Sequence, residues 1–435
     1  MKRFCLVAIF LVAACRLLTA QNPISPEGVY IADPSARVWD GRLYVYGSTD
    51  ITPGNYCSES HHVLSTDDMV HWKLSRNVIS SKGKGDQVPY NDAVLYAPDV
   101  QRRDGKYYMY ICQPHEIAEG VAVADNPCGP FRDARPLDTF GHAQIDPAVF
   151  IDDDGQAYYV WGQFEAKIAR LNPDMTSIDP ASIKVGVVNE KDHFFHEGGF
   201  LAKRNGIYYL VYSHMGRLGM PTCIGYSTST SPMGPYKYGG VIIDNSHCDP
   251  ANWNNHGSIA EFDGQWYVFY HRATHNSNTM RKACAEPIFF APDGSIPEVE
   301  MTTQGASGPL DACHKLEAER ACLLFGDAFV SEWTDGKECL SHMGDGCRAV
   351  YKYLCFDSGV KRVDLLVRAT GKGRLVFKQD QYWHNEVASV DVDDQSGRWS
   401  TISAPVDMPS GIHSLIICYY GEGHIDIDWL RFSKK

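Results

Sequence analysis

Five phrases decide how this chain folds: WDGRLYVYGS from Trp39, RDGKYYMYIC from Arg103, DDGQAYYVWG from Asp153, RNGIYYLVYS from Arg204 and FDGQWYVFYH from Phe262. In each, Asp-Gly or Asn-Gly supplies the positive φ of a tight hairpin turn, and the alternating aromatic and β-branched run behind it reads as a half-buried strand. The turn glycines Gly41, Gly105, Gly155, Gly206 and Gly264 recur every 50 to 64 residues, a spacing that suits a four-stranded blade with its loops. Almost no helical periodicity lies between them. The expectation is an all-β chain in which residues 21–305 form a five-bladed β-propeller. Two stacked sandwiches are the competing arrangement.

The strand ahead of each turn carries a polar residue in an apolar setting, six to nine positions before the glycine: Asp33, Asp99, Asp146, Glu197 and His256. If that strand is the innermost of its blade, all five side chains approach the central axis. Carboxylates gathered there cannot all stay ionised at low cost, so their proton affinities should separate into an acid and a base.

The balance of 40 basic against 53 acidic residues leaves a net charge of −13, which disfavours an electrostatic grip on nucleic acid or anionic lipid. A neutral ligand fits better. Aromatic residues make up 12% of the chain, with 24 Tyr and 9 Trp, and such rings cover sugar faces well, although all-β proteins are Tyr-rich in any case.

Residues 1–20, MKRFCLVAIFLVAACRLLTA, have the basic start, apolar run and small residues of a secretory signal. Cleavage is expected before Gln21, giving an exported protein. A competing cut before Cys15 would make a lipoprotein, but the apolar stretch resumes at Leu17 and Leu18 and favours the later site. No other run approaches the ~20 apolar residues of a membrane span. Of 14 cysteines, Cys5 and Cys15 fall in the signal. The remaining twelve show no zinc spacing, and several are expected to be buried free thiols.

Three segments, YIADPSARVWDG around Asp33, QIDPAVFIDDDG around Asp146 and FHEGGFLAKRNG around Glu197, resemble glycoside hydrolase family 43 over roughly residues 24 to 300. The resemblance implies an inverting hydrolase in which Asp33 is the general base, Glu197 the general acid and Asp146 the aspartate that tunes and orients the acid. Single-step displacement of a sugar oxygen does need a proton donor on the leaving side and an activated water on the other face. Asp33-Pro34 and Asp146-Pro147 are expected to hold each acid extended.

His256 matches the family's axial histidine, associated with calcium or with water-mediated ion contacts, and is a candidate for both sugar and metal binding. Asp99 resembles a position that supports the pocket. Arg272 is a candidate hydrogen-bond donor to sugar, and Trp72, Trp161 and Phe195 are candidate pocket walls; each of these also reads as ordinary core packing or pairing.

Past the glycine-rich stretch ending at Pro309 the texture changes. Residues 306–313 read as a linker and 314–435 as a jelly-roll-like β-sandwich. HKLEAERA from His314 and GEGHIDIDWLRF near the end resemble the two ends of a family 6 carbohydrate-binding module. That resemblance implies a structural calcium on Glu317, Glu319 and Asp428, oxygen ligands that suit this ion. Trp399 matches one aromatic of the module's sugar site, but the second falls at Thr401 or Ile402, leaving Tyr382 or Trp383 as substitutes.

The function implied is release of terminal α-L-arabinofuranosyl or β-D-xylosyl residues from plant-type polysaccharides or oligosaccharides, with no organic cofactor. A galactofuranosidase or galactan-acting enzyme is the neighbouring alternative. A retaining fructosidase is disfavoured because Ala32, not asparagine, precedes Asp33. An inactive sugar-binding propeller is the alternative of another class, although three intact acids argue against it.

Overall fold

The computed structural model describes residues 21–114, 119–143, 145–334, 336–393 and 396–435. The expected signal, with Cys5 and Cys15, lies outside them. The fold is all-β, and helix among the described residues is confined to single turns such as Glu190–His193. None of the described helices is long and apolar enough to cross a membrane.

Four of the five repeats are four-stranded antiparallel meanders. The first blade comprises Tyr30–Trp39, Arg42–Asp50, Ser60–Thr66 and Lys73–Ser80, and the second Asp99–Arg103, Lys106–Ile111, Glu119–Ala124 and Arg132–Leu137. Ala148–Ile151, Ala157–Trp161, Glu165–Arg170 and Lys184–Asn189 make the third, and Phe195–Arg204, Ile207–His214, Cys223–Ser229 and Lys237–Asp244 the fourth. The fifth has three strands, Ser258–Phe262, Gln265–Thr274 and Ser277–Ile288. The first of the described residues lie along the edge of this last sheet: Ile24 N–H donates to Ala283 O, and the Asn22 side chain donates to Ala285 O and accepts from Ala285 N–H. The two ends of the propeller are thereby joined.

Four of the five repeat turns have positive φ at both central residues, as in Asp40 (52°) and Gly41 (75°), the twist-matched geometry of two-residue hairpins. An added Cβ at Gly41 would meet nothing within 4 Å, so the glycine answers a backbone demand rather than a steric one.

The remaining strands form two six-stranded sheets packed face to face around Leu340, Tyr351, Leu365, Phe377, Ile417 and Ile427. The linker expected at 306–313 is partly strand, since Leu310–Asp311 pairs in parallel with Leu354 and Cys355 of the sandwich. Leu316–Glu317 pairs with Leu430 and Trp429, so the first phrase of the sandwich and its last strand lie together. The two units share buried surface: Ile242, Ile243, Cys248 and Met301 pack with Cys322, Val350, Ile416 and Cys418 in one apolar cluster. Within the junction Lys282, 4% exposed, is ion-paired to Glu338, 1% exposed. The twelve cysteines of the described residues are free thiols, most of them buried.

Candidate active site

Each innermost strand begins at the same end of the propeller, and there the backbone is irregular in a repeated way. Asp33 has φ 53° and Asp146 φ 54°. Asp33 sits in a bulge that shifts the register between Ala32 and Ser35, and Glu197 in another between Phe195 and Phe200. Both Asp-Pro aspartates are therefore left-handed, against the extended conformation expected of a residue before proline. Aspartate tolerates positive φ, and the bulge re-aims its side chain toward the axis.

The result is a pocket of about 210 Å³ lined by Asp33, Asp146, Glu197 and His256, with Tyr56, Tyr96, Gln163, Trp253, Asn254 and Arg281 around them. Its volume falls below the ~300–1,000 Å³ of drug-sized sites, which suits a single sugar unit.

Asp33 is held from several sides. Its Oδ1 accepts from Arg281 Nη1 at 2.9 Å and its Oδ2 from Ser48 Oγ at 2.6 Å. The Asp33 N–H donates to His271 Nδ1 at 3.2 Å, and His271 Nε2 lies 3.2 Å from Asn254 O. Burial by itself would raise this carboxyl, but Arg281, with the His271 and His256 rings, holds it well below the usual carboxylate range. Arg281 is in turn fixed by both oxygens of Asp50, at 2.9 and 3.0 Å. Asp146 behaves in the opposite way: burial and the neighbouring Glu197 and Asp33 carboxylates push it well above the ordinary value. One site thus keeps one carboxylate charged and favours a proton on another. Glu197 Oε2 accepts from Gln163 Nε2 at 2.8 Å.

His256 lies between the acids, its Nδ1 3.6 Å from Asp33 and 3.8 Å from Asp146. The ring rests on Gly198, where an added Cβ would come within 2.4 Å of Nε2. Asp99 lies below the pocket floor and accepts from Ser35 Oγ, Arg37 and Val149 N–H, tying three blades together.

Besides Asp99, four candidates from the sequence are not part of the pocket. Trp72 follows the third strand of its blade, at the end of the propeller away from the acids, and donates its indole N–H to Met69 O. Trp161 is fully buried among Tyr110, Val121 and Tyr159, and Phe195 packs on Tyr212. Arg272 is buried on Glu286, Tyr270 Oη and Thr302 O. The antiparallel register explains this exchange of arginines. Arg272 stands opposite Lys282, and Ala273 opposite Arg281, so Arg272 and Arg281 project to opposite faces of the blade. Tyr56, Gln163 and Trp253 sit in loops, where no strand periodicity marks them.

Among the described residues no three His, Cys, Asp or Glu side chains are grouped to hold a metal, around His256 or around Glu317, Glu319 and Asp428. His256 instead partners two carboxylates, and Glu317 pairs with Lys315. Trp399 does have an aromatic partner, Trp333 from a distant strand, but the centroids are 4.9 Å apart and the touching rings leave no slot for a sugar. Tyr382 and Trp383 are exposed, and Tyr382 borders a separate cavity of about 570 Å³ between sandwich and propeller.

A five-bladed ring presenting three axial acids, one locked as an anion and one favouring a proton, is the equipment of a hydrolase working by acid and base catalysis on a glycosidic bond. Residues 20–296 match glycosyl hydrolases family 43, and the chain belongs to that family. It is 33% identical to a xylosidase/arabinosidase of Thermoclostridium stercorarium over 92% of this chain and 96% of that one. An arabinoxylan arabinofuranohydrolase from Bacillus subtilis, solved with cellotetraose, superposes with a TM-score of 0.57 at 25% identity over 96% and 99% of the two chains. A β-xylosidase/α-arabinofuranosidase from a compost metagenome, with xylotriose and in calcium-free form, gives 0.56 at 30% identity over 65% of this chain and 98% of its own.

Proposed function

We propose that this protein is an exported, inverting glycosidase that removes terminal α-L-arabinofuranosyl or β-D-xylosyl residues from plant-type polysaccharides or oligosaccharides. Asp33 serves as base, Glu197 as acid and Asp146 as the group that orients and tunes the acid. The observation that carries this reading is the opposite electrostatic treatment of Asp33 and Asp146 inside one monosaccharide-sized pocket.

Arg281 and Ser48 occupy one lone pair on each Asp33 oxygen, and a carboxylate offers about four acceptor sites, so Asp33 can still accept a water proton. As water attacks the anomeric carbon, its proton passes to Asp33. The proton held by the Asp146 and Glu197 pair passes from Glu197 to the departing oxygen, with Gln163 fixing the Glu197 carboxyl. The names of the relatives support the pentose substrates, and the small pocket supports exo action.

Of the expected calcium ligands, Glu319 carries the observation that fits a cation. Its Oε2 is buried without a partner, and burial, with Glu317 and Glu338 nearby, pushes its carboxyl up to about 8. Glu317, Glu319 and Asp428 are not gathered as a three-ligand cluster here, so a calcium at Glu319 would have to draw the other two toward it to neutralise that site and brace the sandwich.

Two substrates test the roles. Glu197→Ala should lose cleavage of natural oligosaccharides while keeping much of its rate on dinitrophenyl glycosides, whose leaving group needs no proton. Asp33→Ala should lose about 10²–10⁴-fold or more on both. An early NMR spectrum of the product should show inverted anomeric configuration. Retained configuration would overturn the mechanism, and equal losses on both substrates in both variants would overturn the roles.

A further inference from the structure

The turn that presents Asp146 is strained. Ile145 has φ 138° and Asp146 φ 54°, two consecutive residues with side chains at positive φ, the first β-branched, for which this is a genuine outlier. Such a conformation persists only where its surroundings over-determine it. Three contacts do so here. Ile145 O accepts from Gly162 N–H at 2.9 Å, Asp146 N–H donates to Cys112 Sγ at 3.2 Å, and Ile145 N–H donates to Glu119 Oε1 at 3.0 Å.

Glu119 is a residue the reaction does not use. It opens the third strand of the second blade, is fully buried, and stands behind the turn rather than in the pocket. Its Oε2 accepts from Tyr159 Oη of the third blade. The titratable groups facing it, among the described residues, are Tyr159, Lys167, Cys112 and Asp146. Lys167, 4% exposed, is the cation of this set, and its side chain lies against Gly162.

We propose that Glu119 is a positioning residue for the reaction: its carboxylate clamps the Ile145–Asp146 turn through the Ile145 N–H, and its charge behind Asp146 helps keep a proton in the Asp146 and Glu197 pair. This rests on the reading that the pair supplies the proton to the leaving group. The two effects are separable, because an amide in place of the carboxyl still accepts from Ile145 N–H but carries no charge. Burial pushes Glu119 up to about 7, so its charge itself develops around neutral pH. The negative charge of Glu119 raises Asp146, and removing it must therefore ease proton loss from the pair.

The full-length enzyme with Glu119→Gln and Glu119→Ala separates these effects. Glu119→Gln should keep kcat within several-fold and move the basic limb of the pH profile downward, on the order of half a unit. Glu119→Ala leaves the Ile145 N–H without its acceptor and should lower kcat about 10²-fold, the scale of a small misplacement of a reacting group. Its deficit should be larger on natural oligosaccharides than on dinitrophenyl glycosides, because a displaced Asp146 impairs the proton donor rather than the base. Recovery of kcat from Ala to Gln would mark positioning. Circular dichroism and melting establish that each variant is folded, and if Glu119→Ala does not fold, the limb shift in Glu119→Gln still decides. An unmoved basic limb in Glu119→Gln, or a folded Glu119→Ala with kcat within twofold of the wild type, would overturn the proposal. The proton-delivery reading is tested separately by Glu197→Ala on the two substrates, so its failure would be distinguishable from that of Glu119.

Discussion

Replacing Arg281 by glutamine would test the electrostatics of the site most directly. Arg281 is 3% exposed in its side chain and gives hydrogen bonds to both Asp33 and Asp50. An opposite charge at such a distance lowers a carboxyl by about 1–3 units, or roughly 1.4–4 kcal/mol of preference for the charged form. Without it, burial acts on Asp33 with only the histidine rings in opposition, and Asp33 should titrate at or above its unperturbed value of about 3.9. The acidic limb of kcat/KM should rise by about 1–3 units, so that activity at about pH 4 falls more than activity at about pH 7. Stability should change as well, because two buried carboxylates lose their cation at a cost of about 3–5 kcal/mol. The sign follows from linkage: a depressed carboxyl stabilises the fold above its unfolded value, and that contribution fades as pH falls toward the folded value. The melting deficit of Arg281→Gln should therefore be largest above about pH 4 and narrow below it. Arg281→Lys, which keeps the charge, should retain the wild-type acidic limb at reduced kcat. Stopped assays from pH 4 to 8 with parallel thermal melts give both readings. A folded Arg281→Gln whose acidic limb coincides with the wild type would refute the claim that Arg281 keeps Asp33 ionised.

At the junction, Glu338→Ala strands the buried Lys282 and should cost about 3–5 kcal/mol in denaturant unfolding, while Lys282→Met with Glu338→Leu should recover most of the loss. Deletion of residues 314–435 bares the shared apolar cluster, so the propeller alone should melt lower and aggregate sooner even where small aryl glycosides are still cleaved; equal melting would show that the junction contributes little. Gly198→Ala forces a Cβ against His256 at φ 67° and should reduce kcat while leaving most of the fold, read by circular dichroism beside activity. For the sandwich, a chelated sample should lose melting temperature as pH rises from about 4.5 toward 8, because the raised Glu319 carboxyl stabilises the fold only while it holds its proton. Calcium should restore more at pH 8 than at pH 5. Glu119 and Glu286, both pushed up to about 7 by burial, share that window, so Glu319→Gln must remove the calcium response for Glu319 to be the ligand.

The fivefold repeat is legible in the chain alone. The Asp-Gly and Asn-Gly turns and their alternating strands are local features, and a φ preference or a period of two is written in a few consecutive residues. Counting back from each glycine reached Asp33, Asp146, Glu197 and His256, because strands of similar length bring equivalent positions to the same end of every blade. The tertiary structure decided what these residues face. Arg272 and Arg281 are both strand arginines in chain order, and only the pairing of two antiparallel strands directs one to the pocket and the other to Glu286. Trp72 and Trp161 look like sugar platforms in a sequence, yet one lies at the far end of the propeller and the other between blades. Gln163, Trp253 and Tyr56 reach the pocket from loops, where no period predicts a direction. The left-handed turns at Asp33 and Asp146 ran against the extended backbone expected before proline, and at Asp146 three contacts from residues 16 to 34 positions away hold that conformation. Local chemistry is legible in one dimension; convergence, strain and electrostatic coupling depend on which distant groups the closed ring of blades brings within a few ångströms.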